Sequence, residues 1–393
     1  MNHLPVVGLV SAGENDSRKT RQATFPHRDR CVKIQRIVPS SRMESIPPQA
    51  RLKDVAAAAG VSVSTASRVL SGANAASPQA VAAVRAASAR LNYRPNPIAR
   101  ALRAQTTNLI GMVVPEVGNP FFAELIEAVE RALHEAELDL LLAGSFGSVK
   151  DEARRIQTML DRRTAGLIVI PLHHHASTAA LTSVPRTMPI VQIDRQVDGF
   201  HGDYVGVDNA LGIQLVLQHL AEQGCRRVTF VSDVASSSTG RSRLEAFDHS
   251  IRRVSSLTAD DPLLGSFAVD FGREAVRTLI REQRLPEGIV CGSDIIALGV
   301  VRELHQAGVA IPEQVRVTGF DGIQFSELCD PPLTTVRQPV NSIASEAIRI
   351  LTARLQGSRA APVRTEVAPT LEIRRSSPTD QGSTIGAAVR ETT

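Results

Sequence analysis

The chain has 393 residues, with 44 Lys and Arg against 40 Asp and Glu. Its cysteines, Cys31, Cys225, Cys291 and Cys329, lie far apart with no C-x-x-C spacing, which argues against structural zinc and a disulfide framework and fits a reducing cytosol. No apolar run approaches the ~18 residues of a membrane span, so no membrane partner is expected.

Residues 1–48 mix Arg, Ser, Pro and polar residues without periodicity and read as a disordered N-terminal extension. The apolar stretch Leu4 to Val10 has no Lys or Arg before it and is too short to span a membrane, which argues against a signal peptide. Met43 stands just before the first folded block. Translation starting there and a basic arm formed by residues 1–42 are the two readings of this segment.

From Leu52 the chain reads as two short helices meeting at a glycine. Leu52, Val55, Ala56 and Ala59 recur at helical spacing, and Gly60 permits the left-handed residue that ends the first helix. Ser62 can cap the second helix, whose Ala66, Val69 and Leu70 point inward while Ser64, Thr65, Ser67 and Arg68 point out. Such a pair, with a short polar face carrying an arginine, suits entry into a DNA major groove, although a plain packed hairpin has the same pattern. Ser77-Pro78 then opens an Ala/Val/Arg helix ending near Leu91. Asn96 and Pro97 open a further helix with Ile98, Ala99 and Leu102 on one side, too short to stand without a partner. Residues 51–103 hold Arg51, Lys53, Arg68, Arg85, Arg90, Arg94, Arg100 and Arg103 against Asp54 alone, a net +7 that coincides with the helix pair. A basic block beside a near-neutral remainder is the electrostatic footprint of nucleic-acid binding.

The block Leu52 to Leu70, the run Leu91-Asn92-Tyr93-Arg94-Pro95-Asn96 and the run Ile98-Ala99-Arg100-Ala101-Leu102 resemble the lactose/galactose repressor family of bacterial transcription regulators. The resemblance covers roughly Arg51 to Arg375. It implies that Val63, Ser64 and Arg68 face base edges, with Arg68 forking a guanine and Val63 meeting a thymine methyl. It also implies a hinge helix that forms on the operator, with Asn96 at its start and Leu102 wedging into the minor groove. Arg51 stands where the family usually has a Thr or Ser cap, so the first helix is expected to fray at its start.

Beyond residue 106 strand and helix alternate. Leu109–Val114, Leu140–Ala143, Gly166–Ile170, Ile190–Ile193, Arg227–Val231, Gly288–Cys291 and Val315–Phe320 are apolar strands. Helices are expected at Phe121–Glu137, from Asn209, around Arg243 and at Ile295–Ala307. Continuous apolar strands between helices mean parallel sheets covered on both faces. About 270 residues exceed one such sheet, so two lobes are expected. The fold class is thus a small all-α helix-turn-helix domain plus hinge helix, followed by a two-lobed α/β periplasmic-binding-protein-like domain with doubly wound parallel sheets. The resemblance implies chain crossings between the lobes near 206, 335 and 365. The boundaries read 1–48 extension, 49–96 DNA-binding domain, 97–106 hinge helix, 107–375 effector-binding and dimerisation domain, and 376–393 disordered tail.

Ligands of such sheets bind outside the carboxyl ends of the strands, here between the lobes. Family positions that touch effector fall on Phe121, Phe122, Arg243 and Asp321, with Asp194, Thr239, Phe267 and Ser293 carried over as well. Core packing for the phenylalanines and a turn role for Asp321 are the competing readings. An arginine and an aspartate in one cleft can fork hydroxyls or a carboxylate. Family members with anionic purine effectors place an arginine at the position of Ser237, which disfavours that ligand class here. His173-His174-His175 invites a metal reading, but neighbours on an extended segment point alternately and no second cluster exists, so the loop reads as a lip of the cleft. No G-x-S-x-G, H-E-x-x-H or P-loop lysine is present, so no catalytic residue and no cofactor are expected.

The resulting reading is a cytoplasmic, homodimeric transcription regulator, a repressor that is not an enzyme. Double-stranded operator DNA is its partner and a small-molecule effector, a sugar, controls it. The alternative is a solute-binding protein of a transport system. The tail after Ile373 lacks leucine heptads and carries Pro378, Gly382 and Gly386, so a dimer rather than a tetramer is expected.

Overall fold

The helices Leu52–Ala58 (α1), Val63–Leu70 (α2) and Pro78–Arg90 (α3) pack pairwise around Val55, Ala56, Ala66, Val69, Val84 and Ala87. The buried members of that core are all Ala or Val, with Leu52, Leu70, Leu91 and Tyr93 packed against them. The chain, a computed structural model describing residues 50–70, 76–93 and 107–378, divides into two units, residues 1–94 and 95–393. Gly60 has φ +66°, as the left-handed end of α1 requires. Ser62 Oγ accepts from the Thr65 amide at 3.1 Å, and Ser77 Oγ accepts from the Ala80 amide at 3.3 Å ahead of Pro78. The expected fraying of α1 is corrected. The Asp54 carboxylate accepts from the Arg51 amide at 2.8 Å, so an acid inside the helix holds the donor that lacks a cap. Asn96, Leu102 and the hinge segment lie outside the described residues, as does the extension.

The second unit holds two sheets. In chain order its elements are β1 Leu109–Val114, α4 Pro120–Glu135, β2 Asp139–Gly144, α5 Val149–Asp161, β3 Gly166–Val169, α6 Thr178–Thr182, β4 Ile190–Ile193 and β5 Asp203–Val207. They continue with α7 Asn209–Glu222, β6 Arg227–Asp233, α8 Ser238–Ile251, β7 Thr258–Ala259, β8 Leu263–Gly265, α9 Val269–Arg281, β9 Gly288–Cys291 and α10 Asp294–Gln306. The last are β10 Arg316–Asp321, α11 Phe325–Leu328, β11 Thr334–Arg337, α12 Val340–Leu355, β12 Arg364–Val367 and β13 Thr370–Glu372.

Lobe one is a sheet of order β12-β5-β4-β3-β1-β2 with every pairing parallel. Lobe two has order β13-β11-β10-β9-β6-β7, parallel except where β13 runs against β11. Along β1, Met112 and Val114 join Leu125 and Val129 of α4 on one face. Val113 joins Ile156 and Met159 of α5 on the other. Both faces are covered, which is why this strand is a continuous apolar run.

The chain crosses between lobes after Val207, after Arg337 and after Val367, within a few residues of the expected 206, 335 and 365. Helix α7 therefore packs on β10, β11 and β13, and α12 returns to pack on α4, β4 and β5. The ordered fold runs past the expected boundary at 375. Ser376 and Ser377 are fully buried. Ser376 Oγ accepts from the Thr334 amide at 2.8 Å, and His219 Nε2 donates to the Ser377 carbonyl at 2.8 Å. These two serines are held by hydrogen bonds rather than by apolar packing, so the disordered tail does not begin at 376.

Candidate functional site

Strand ends and helix starts converge on one small cavity. Asn119, Phe121 and Phe122 follow β1, Asp194 and Arg195 follow β4, and Thr239 and Arg243 lie on α8 after β6. Phe267 follows β8, Ser293 follows β9, and Asp321 ends β10. The cavity takes its walls from both lobes. It sits where ligands of open parallel sheets are held, outside the carboxyl ends of the strands. Three helix caps bracket it. Asn119 Oδ1 accepts from the Phe121 amide at 3.0 Å, Ser237 Oγ from Gly240 at 3.0 Å, and Ser293 Oγ from Ile296 at 3.4 Å.

Arg243 is buried under the ring of Phe320, with its guanidinium carbon 3.7 Å from the ring centre. Its Nε donates to Asn209 Oδ1 at 2.7 Å, and Nη1 donates to the Gly292 carbonyl at 2.6 Å and reaches Asp321 Oδ1 at 3.4 Å. Gln338 Nε2 also donates to Asp321 Oδ1, at 2.9 Å. Burial pushes the Asp321 carboxyl up to about 6, against the opposing pull of Arg243. Asp194, with φ +60°, is likewise raised by burial, and Arg195 beside it at 3.6 Å opposes the rise. The Arg195 guanidinium lies between two aromatic rings, 5.3 Å from the centre of Phe122 and 5.6 Å from that of Phe267.

All eight residues expected at the effector, Phe121, Phe122, Asp194, Thr239, Arg243, Phe267, Ser293 and Asp321, therefore line this one cavity. Phe121 and Phe122 also belong to the core of lobe one, so core packing and lining the cavity coincide there. Asn119 and Arg195 were not singled out from the sequence. Arg195 directly follows Asp194 at a strand end, and Asn119 has the form of a helix cap; each carried a local signal. Several buried polar atoms at or beside the cavity have no hydrogen-bond partner, namely Asp194 Oδ1, Arg195 Nε, Asp233 Oδ1 and Gln338 Oε1. Two carboxylates, two guanidiniums and ring faces form a wall of balanced charge. It can pair with hydroxyls of either donor or acceptor sense.

The histidine run is not arranged around a shared ion. His173 Nδ1 accepts from the His175 and Ala176 amides at 3.1 and 3.2 Å. His174 Nδ1 instead meets Asp198 Oδ2 at 2.6 Å.

In the first unit Val63, Ser64 and Arg68 are exposed along α2, while Ala66 and Val69 are buried beneath them. Val63 leaves 44% of its surface open.

The pattern of bacterial regulatory proteins of the lacI family matches residues 51–96, and that of the periplasmic binding protein-like domain matches residues 217–377. The ribose operon repressor of Escherichia coli (strain K12) is 31% identical over 323 residues, covering 82% of this chain and 98% of the relative. The chain belongs to the LacI family. Another relative, the HTH-type transcriptional regulator GalR of the same organism, is 34% identical over 334 residues, covering 83% of this chain and 95% of its own. A solved Lac repressor dimer bound to operator and the anti-inducer ONPF has a TM-score of 0.77 at 22% identity, covering 84% of this chain and 99% of its own, and shows the shared fold. This LacI-family chain is thus a DNA-binding transcription regulator and not an enzyme. The helix-turn-helix match at 51–96 sets aside the solute-binding-protein alternative. Among the described residues no helix is long and apolar enough to cross a membrane.

Proposed function

We propose that this regulator is a cytoplasmic, homodimeric repressor whose operator affinity is set by a small neutral sugar, a pentose, held in the cavity of Arg195, Arg243, Asp194 and Asp321. The observation that carries this reading is the balanced charge of the cavity wall, two carboxylates facing two guanidiniums. An anion would call for excess positive charge, whereas a ring of hydroxyls uses carboxylate acceptors and guanidinium donors together. Two similar proteins support the choice. One is the ribose operon repressor of Escherichia coli. The other is a periplasmic binding protein/LacI transcriptional regulator from Alkaliphilus metalliredigens complexed with D-xylulofuranose, 25% identical with a TM-score of 0.61, covering 69% of this chain and 99% of its own.

The mechanism is linkage. A ligand that touches both lobes favours one arrangement of them, and that preference is linked to operator affinity. Coupling of this kind is typically worth ~1–3 kcal/mol per site. The test is a thermal-shift and calorimetric screen of D-ribose, D-xylulose, hexoses and anionic nucleosides. Pentoses should raise the melting temperature, and stabilisation by anions alone would overturn the reading.

For the DNA end, Val63, Ser64 and Arg68 are assigned to base edges. Arg68→Ala should weaken operator binding by roughly 1–3 kcal/mol while nonspecific DNA is bound nearly as before. Equal losses on operator and scrambled DNA in a gel-shift titration would remove Arg68 as a base reader.

Sugar binding should also depend on pH with a definite sign. The ionised Asp321 carboxylate accepts a hydroxyl hydrogen, and its proton-binding midpoint in the free protein is raised to about 6 by burial. Effector affinity is therefore expected to be flat above that value and to fall as the pH drops through it. Calorimetric titrations across the range decide this; affinity that rises on acidification would contradict the assignment.

A further inference from the structure

The histidine run and its surroundings form a second cross-lobe structure that effector contact alone does not explain. In lobe one, Asp198 lies three residues after the cavity-lining Arg195. In lobe two, Arg241 lies on α8 between the cavity-lining Thr239 and Arg243. The two are joined by a forked ion pair, with Arg241 Nη2 donating to Asp198 Oδ1 at 2.8 Å and Nη1 donating to Oδ2 at 3.1 Å. His174 Nδ1 closes the triangle, 2.6 Å from Asp198 Oδ2 and 3.1 Å from Arg241 Nη1. Backbone bonds reinforce it across the same gap. The His174 amide donates to the Ser236 carbonyl at 3.0 Å, and the Gln196 amide donates to Ser238 Oγ at 2.9 Å.

Both sides of this structure are held rigidly within their own lobes. In lobe one the loop 171–177 is pinned from below by Glu152, a fully buried carboxylate whose Oε2 accepts from the Leu172 amide at 2.7 Å. Within the loop, Ser177 Oγ accepts from the His173 amide at 3.1 Å, and from the segment after β4 the Asp198 amide donates to the His174 carbonyl at 2.6 Å. In lobe two, Asp233 Oδ2 accepts from Ser237 Oγ at 3.1 Å and from Ser236 Oγ at 3.4 Å, fixing the turn that offers the Ser236 carbonyl. Pre-set partners lose little freedom on meeting, so the ionic contact acts between bodies rather than between two loose side chains.

We infer that Arg241, Asp198 and His174 form a latch that holds the two lobes closed over the cavity and sets how readily the cleft opens. The residues sit on the same two segments that line the cavity, so the lobes cannot part there without breaking the forked pair and both backbone bonds. The inference rests on the reading of the cavity as the effector site only for its consequence, namely that a looser latch releases effector faster. The latch itself is testable with no ligand present.

The test is hydrogen–deuterium exchange on the full-length, ligand-free protein and its Arg241→Ala and Asp198→Asn variants. A reporter away from the latch is available in the Gln324 amide of lobe two, which donates to Glu124 Oε1 of lobe one at 3.0 Å and shares no residue with the latch. Both variants should speed exchange of the His174 and Gln196 amides, and of the Gln324 amide with them, by about fivefold or more. The strand amides of Ile110–Val114 and Val228–Val231 should stay protected, which shows that the variants remain folded. Faster exchange confined to His174 and Gln196, with Gln324 unchanged, would reduce the triad to a local tie and overturn the latch. Unchanged exchange at all three would overturn it as well. Failure of every pentose to bind would leave this result intact and count only against the proposed effector.

Discussion

Arg243→Ala is expected to abolish the response to effector while leaving the DNA-binding helices folded. The guanidinium makes its hydrogen bonds inside the protein, to Asn209, to the Gly292 carbonyl and to Asp321, and lies against the Phe320 ring. Truncation strands two neutral acceptors and removes the main cation holding the buried Asp321 carboxyl down. Removing one partner of a desolvated, charge-assisted contact typically costs about 2–5 kcal/mol, or roughly 30-fold to several thousand-fold in affinity. Arg243→Lys should not rescue it, because an ammonium cannot serve three partners in the plane of a guanidinium. Asp321→Ala should weaken binding comparably by leaving Arg243 and Gln338 without their shared acceptor. Calorimetric titration with a pentose reads the loss, and a gel shift without sugar reads the retained DNA binding. Unchanged affinity in both variants would mean that the cavity chemistry has been misassigned.

Legibility in the sequence followed burial. The strands Leu109–Val114, Arg227–Val231 and Gly288–Cys291 stood out because sheets covered on both faces demand unbroken apolar runs. The edge strand Arg364–Val367 did not, since it alternates exposed and half-buried residues and reads as polar loop. Asp203–Val207 begins with an acid and contains a glycine, and the pair of residues in Thr258–Ala259 is exposed. Ser376 and Ser377 carry no apolar signal, so their burial could be found only from the hydrogen bonds they make in three dimensions. The cavity divides in the same way. Its eight expected residues came from a family resemblance; periodicity alone would have assigned the phenylalanines to the core. Arg195 escaped notice because an arginine is almost never fully buried without a partner, and its aromatic neighbours, Phe122 and Phe267, are remote in sequence. The histidine run was visible as a motif, but its partners Asp198 and Arg241 were not, because they come from different lobes.

Gly299→Ala and Gly272→Ala should each destabilise lobe two by about 3 kcal/mol, although helix propensity alone predicts the opposite sign. Gly272 lies in the first turn of α9 and Gly299 in the middle of α10, and replacement of a helical glycine by alanine ordinarily stabilises by up to ~1 kcal/mol. Here each faces the other helix's backbone. A Cβ at Gly272 would lie 2.1 Å from the Ile296 carbonyl oxygen, and one at Gly299 would lie 2.0 Å from the Val269 carbonyl oxygen. Backbone cannot rotate aside as a side chain can, so the helices must separate. That separation loosens Ala275, Val276 and Leu279 against Ile296, Val300 and Leu304, and overpacking of a close-packed core costs typically ~1–3 kcal/mol or more. The same movement reaches the cavity, since Phe267 lies just before α9 and Ser293 caps α10. Each variant should therefore melt lower by about 5–10 °C and bind effector more weakly without any change at a contacting residue. Thermal unfolding supplies the deciding sign: an alanine variant that melts at or above the parent would show that the two helices do not cross this closely, and the assigned positions of Phe267 and Ser293 would fall with them.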